Sequence, residues 1–205
     1  MSCYVAWSHV VFAHAVHRYG IDGNWSSFAA LVGVGGQLPV YLSVATALSE
    51  IWVVQTYGCT PGRFPILNRA VPCSDCIDRE IVQLCITGRG GVFDTSQSSN
   101  WKPLGPFQLG VNNTGTVGNA DYGLDMISFY NFYTKTENQY NNVLIGAMND
   151  TEYYQGFIGV GVNEGRFNKN LTLPLISQMA RTYGTIPSHS YGYTAGAYYR
   201  HGKFL

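Results

Sequence analysis

Leu38-Pro-Val-Tyr-Leu-Ser-Val-Ala-Thr-Ala-Leu-Ser-Glu-Ile-Trp-Val-Val54 decides the fold. Two apolar runs, Leu38–Val44 and Ile51–Val54, flank a small-residue hairpin turn, Ala45-Thr46-Ala47. Both runs are rich in β-branched and aromatic residues, and they are too short for helices. They predict buried sheet on either side of a tight bend.

The rest of the chain agrees with a β-rich reading. Hydrophobic residues make up 46% of the 205 positions, enough for a real core. Charged residues reach only 12%, about half the usual share. Gly (24) and Tyr (15) are abundant, which suits short strands joined by many turns. Lys plus Arg equals Asp plus Glu at 12 each, and no basic run occurs, so nucleic acid and anionic membranes are poor partners. No apolar run reaches the roughly 18 residues of a membrane-spanning helix.

Outward from the bend, Phe28–Val34 predicts a strand closed by Gly35-Gly36, pairing as a hairpin with Leu38–Val44. Upstream, residues 1–19 form an uncertain arm or a degenerate signal. His9, His14 and His17 lie there without companion carboxylates, so no metal site is expected. Downstream, Asn142–Met148 and Ser190–Ala197 predict strands. Leu173–Tyr183 predicts the one good helix. Thr172 is its expected cap, Leu175, Ile176, Met179 and Tyr183 its buried stripe, and Gly184 its stop.

Five cysteines are present: Cys3, Cys59, Cys73, Cys76 and Cys85. Their spacing fits no familiar zinc pattern, which favours disulfide plus spare thiols. Asn24, Asn112, Asn149 and Asn170 each head a glycosylation triplet. Clustered Cys and these acceptors together imply a secreted or cell-surface protein.

Several segments resemble landmarks of the pepsin-like aspartic peptidases. The bend resembles that family's active-site motif, apolar-Asp-Thr-Gly-Ser-Ser-(Asp or Asn)-Leu-Trp-Val, with Thr46, Ser49, Ile51, Trp52 and Val53 in family-like positions. Ala45 stands where the family has its catalytic Asp, and Ala47 where it has Gly. Gly91–Leu104, with Val92-Phe93-Asp94-Thr95-Ser96, is similar to the segment that leads into the family's flap. Phe107–Val111 and Asp121–Tyr133 then correspond to the flap hairpin, and Gly123–Ile127 to Gly-Tyr-Asp-Thr-Val on its returning strand. Gln155–Gly161 resembles the strand that crosses beneath the active-site turn, where Gly allows close backbone approach.

The resemblance implies a mostly β N-terminal lobe of the acid-protease barrel fold over 20–205, with one short helix and no second lobe in these residues. It implies a Cys59–Cys76 disulfide at the ends of an enlarged loop, and no cofactor. The family's chemistry uses two carboxylates sharing one proton, one as base on water and one as acid. Ala45 can do neither, so the implied role is binding: a non-catalytic or inhibitor-like module with a peptide or protein ligand in the cleft. A C-terminal lobe or a second chain is the expected structural partner. The alternative is an active aspartic endopeptidase that uses Asp94, since Val-Phe-Asp-Thr-Ser also fits an active-site pattern, or that depends on a lobe outside these residues.

Overall fold

The structure of the chain, a computed structural model, describes residues 15–20, 23–46, 48–56, 86–108, 119–131, 135–148, 155–167 and 170–192. It is mostly β, as the composition and strand pattern predict. Ten strands are described. β1 is Ala15–Gly20, β2 Gly23–Val32, β3 Val40–Ala45, β4 Ile51–Val54 and β5 Lys102–Gln108. β6 is Asn119–Asn131, β7 Thr136–Met148, β8 Gly156–Gly159, β9 Gly165–Phe167 and β10 Asn170–Thr172.

Eight strands form one sheet in the order β1-β2-β3-β8-β4-β7-β6-β5. A further pairing of β2 with β6, Leu31 opposite Ser128 and Val32 opposite Ile127, closes the six inner strands into a barrel. β1 and β5 extend the sheet beyond the closure. β1 pairs with β2 from Ala15↔Phe28 to Gly20↔Gly23.

The predicted β2–β3 hairpin is present, with Phe28 opposite Leu42 and Ala30 opposite Val40. The expectation that β3 and β4 flank a hairpin needs correcting. They do not pair with each other. β8 lies between them, parallel to β3 (Leu42↔Gly156, Ala45↔Gly159) and antiparallel to β4 (Ile51↔Ile158, Trp52↔Phe157). The reason is steric. A Cβ at position 156 would stand 2.6 Å from both the Leu42 side chain and the Trp52 carbonyl, so only glycine lets a third strand enter this gap.

β4 divides two cores. Ile51 and Val53 point into the barrel with Val32, Leu42, Ile127 and Ile145. Trp52 and Val54 face the other way, against Tyr122, Leu144 and Met148. All four residues of β4 are at most 2% exposed, which explains why this strand reads as a continuous apolar run rather than an alternating one. Each such side chain contributes about 1.5–3 kcal/mol through burial.

β5 and β6 form an antiparallel hairpin with Pro103 opposite Gly123 and Gln108 opposite Asn119; its first strand lies ahead of the expected Phe107–Val111 and shares only Phe107 and Gln108 with it. Trp101 lies flat on β6, its ring 2.5 Å from where a Cβ of Gly123 would be. It also meets Phe93 edge-on, with centroids 5.6 Å apart.

The C-terminal helix lies within the predicted span but differs in form. It runs as an α-turn over Leu175–Ser177 and continues as π-helix over Gln178–Thr182. Thr172 does not cap it, because Thr172 belongs to β10 and Pro174 takes the N-cap position without a side-chain bond. Leu175, Ile176 and Met179 are buried in the barrel core as predicted. Tyr183 is 36% exposed; its ring meets Tyr140 edge-on at 5.1 Å. Gly184, at φ +60°, follows the last helical turn. Of the expected strand Ser190–Ala197, the described residues 190–192 are not in a strand, and the rest lies outside the described residues.

Candidate functional site

The bend between β3 and β4 is built by β8. The Val160 N–H donates to the Ala45 carbonyl at 3.1 Å, the Gly159 N–H to the Glu50 carbonyl at 2.9 Å, and the Gly161 N–H to the Leu48 carbonyl at 2.7 Å. These bonds hold both arms of the bend against one strand. Approach is so close that a Cβ at 159 would stand 2.4 Å from the Glu50 carbonyl, and one at 161 would stand 2.7 Å from that of Leu48. The glycines of the Gly-Val-Gly sequence therefore act as contact points for the bend.

Ala45 closes β3 half-buried, and Thr46 is exposed beside it. Ala47 lies outside the described residues. A methyl group at position 45 offers neither a proton nor a lone pair, so the bend has no acid or base there.

The carboxylate that the bend does carry is Glu50, to which the sequence pattern alone assigns no role. Its Oε2 accepts the Trp52 indole N–H at 3.1 Å and the Tyr122 hydroxyl at 2.8 Å. Glu50 and Trp52 are two apart and so share a face at the entrance to β4. That period-two pairing of an acid with a buried aromatic was visible in the sequence; Tyr122, on β6, was not. Around them Phe157 meets Trp52 edge-on at 6.2 Å, and Phe107 meets Tyr122 edge-on at 6.1 Å. On another side of the bend a cavity of about 60 Å³ is lined by Ser49, Glu50, Val143, Leu144 and Thr172–Leu175. That volume has room for a few waters only, far less than the several hundred Å³ of a small-molecule pocket.

Asp94 is placed elsewhere. The Phe93 N–H donates to the Val54 carbonyl at 2.8 Å, so Asp94 follows the far end of β4 from the bend. Its Oδ1 accepts the backbone N–H of Ser96 at 2.9 Å and the Ser96 hydroxyl at 2.6 Å, a side-chain turn of the Asx kind. Gln37 grips its backbone, accepting from the Asp94 N–H at 2.8 Å and donating to the Asp94 carbonyl at 3.1 Å. In the Gly123–Ile127 segment, Asp125 is 2% exposed and its Oδ1 accepts the Met126 N–H at 2.7 Å. Its Oδ2 is buried without a partner among the described residues.

Cys3, Cys59, Cys73, Cys76 and Cys85 lie outside the described residues, as do Asn112 and Asn149. Asn24 and Asn170 stand in β2 and β10. Among the described residues no group of three or more His, Cys, Asp or Glu gathers where a metal could bind, and no helix is long and apolar enough to cross a membrane. No protein-family model matches the chain, and no curated protein matches it significantly.

Proposed function

We propose that this chain is a pepsin-like lobe that binds peptide or protein segments without cleaving them. The observation that carries the reading is the bend itself, with β8 threaded between β3 and β4 and the alanine Ala45 at the position the family gives to its aspartate. The sequence landmarks come in family order, and the β5–β6 hairpin overlaps the segments that resemble the family's flap at Phe107–Gln108 and Asp121–Asn131, which supports the reading. A peptide ligand would lie between that hairpin and the bend. Peptide hydrolysis by this architecture needs one carboxylate as base and another as acid, and removing a member of such a unit costs several powers of ten in rate.

The test is proteolysis of acid-denatured haemoglobin at about pH 3–4, where one carboxylate of a dyad is protonated. The purified chain is expected to leave the substrate intact. Cleavage blocked by a statine-type inhibitor would refute the non-catalytic reading.

A further inference from the structure

The geometry points to Glu50 as a recognition carboxylate for a cationic group, the lysine or arginine side chain of a bound peptide. This rests on the reading of the bend as a peptide-binding cleft, and it names the side-chain chemistry that the cleft selects.

Both hydrogen bonds to Glu50 fall on the same oxygen, Oε2. The donors come from rings that are each 1% exposed, on two different strands, so their positions are fixed by the core. Two fixed donors on one oxygen set the carboxylate plane and leave Oε1 without a hydrogen-bond partner among the described residues. Neither donor is charged. They orient the negative charge and do not neutralise it. The ion pair among the described residues joins Arg181 to Glu164, and no described cation pairs with Glu50. An oriented, half-buried carboxylate of this kind is complementary to an ammonium or guanidinium group, which would give a charge-assisted bond to Oε1.

The surroundings suit the same ligand. Phe107 and Phe157 are half-buried and pack with Tyr122 and Trp52, so apolar rings frame the clasp on Glu50, a setting that the methylene stem of a long basic side chain matches. Burial of Glu50 is partial, so an incoming group can reach it without opening the core.

The experiment is calorimetric titration of the full chain at pH 7 with capped apolar heptapeptides. One carries a single lysine, the other norleucine at that place. The lysine peptide is expected to bind at least tenfold tighter, with a preference that shrinks as salt is raised. In Glu50→Gln the amide oxygen can still accept from Trp52 and Tyr122, and the preference is expected to fall to twofold or less. A thermal melt shows whether that variant is folded; if it is not, the lysine preference and its salt dependence in the unaltered chain decide the matter. Equal affinity for the two peptides overturns the inference and leaves the binding reading standing. So does a lysine preference that persists in folded Glu50→Gln. Failure of both peptides to bind overturns the inference and the binding reading together.

Discussion

The amide of Gly159 donates to the carbonyl of Glu50 at 2.9 Å, and a Cβ on the same residue would stand 2.4 Å from that oxygen. The bend is thus held by a backbone contact that no side chain can enter. It fixes where Ala45, Ser49 and Glu50 stand relative to β8.

Gly159→Ala should therefore be among the most damaging single-methyl additions in the chain. The obstructing atoms are the backbone carbonyls of Glu50 and Leu48, which cannot rotate away. The expected loss is at least the 1–3 kcal/mol typical of overpacking, read by urea unfolding. Gly36→Ala is the comparison. Position 36 has φ +75° with nothing within 4 Å, so it should cost only about 1 kcal/mol of backbone strain.

Asp94→Ala separates the two carboxylate candidates. The variant loses the two bonds to Ser96 at an exposed turn, so stability should drop by about 1 kcal/mol. Peptide binding at the bend should not change, because Asp94 follows the other end of β4. An endopeptidase that used Asp94 would instead lose all activity with this substitution.

Tyr140 gives a prediction in pH. Burial, the largest cause, raises the pKa of its hydroxyl above the usual 10.0, against a lowering by the bond to Thr185 and with a smaller rise from Tyr183. A proton held more tightly in the folded state stabilises it fully below the unfolded pKa. That stabilisation is lost as pH rises through the folded value. Unfolding midpoints should fall from pH 9 to pH 11 more steeply in the unaltered chain than in Tyr140→Phe. At pH 7 the same variant should cost about 1 kcal/mol, for loss of the 3.1 Å bond to Thr185.

Much of this fold is legible in the sequence. Ile51–Val54 announces a strand buried on both faces because it has no polar alternation, and Gly156, Gly159 and Gly161 mark close backbone approach. The residues of β3 and β4 do not reveal that a strand lies between them. The pairings Val44↔Ile158 and Ile51↔Ile158 join residues far apart in the chain, and local pattern holds no information about such contacts. The helix shows a subtler limit. Its stripe assumes one ladder spacing throughout, but the Tyr183 N–H bonds to the Gln178 carbonyl at 3.0 Å, a wider π-type step. Tyr183 is accordingly half out of the core, and its hydroxyl accepts the Asn141 N–H at 2.7 Å. At the bend, the sequence shows that position 45 is an alanine with neither a proton nor a lone pair to offer. The clasp on Glu50 was not, because Tyr122 reaches it from β6.

Incubation of the chain with a mixed decapeptide library at about pH 3.5 and at pH 7, followed by mass spectrometry of retained and released peptides, tests the account most directly. Peptides recovered intact at both pH values, and enriched in lysine and arginine at pH 7, are the predicted result. Cleavage products that vanish when a statine-type inhibitor is added would contradict it.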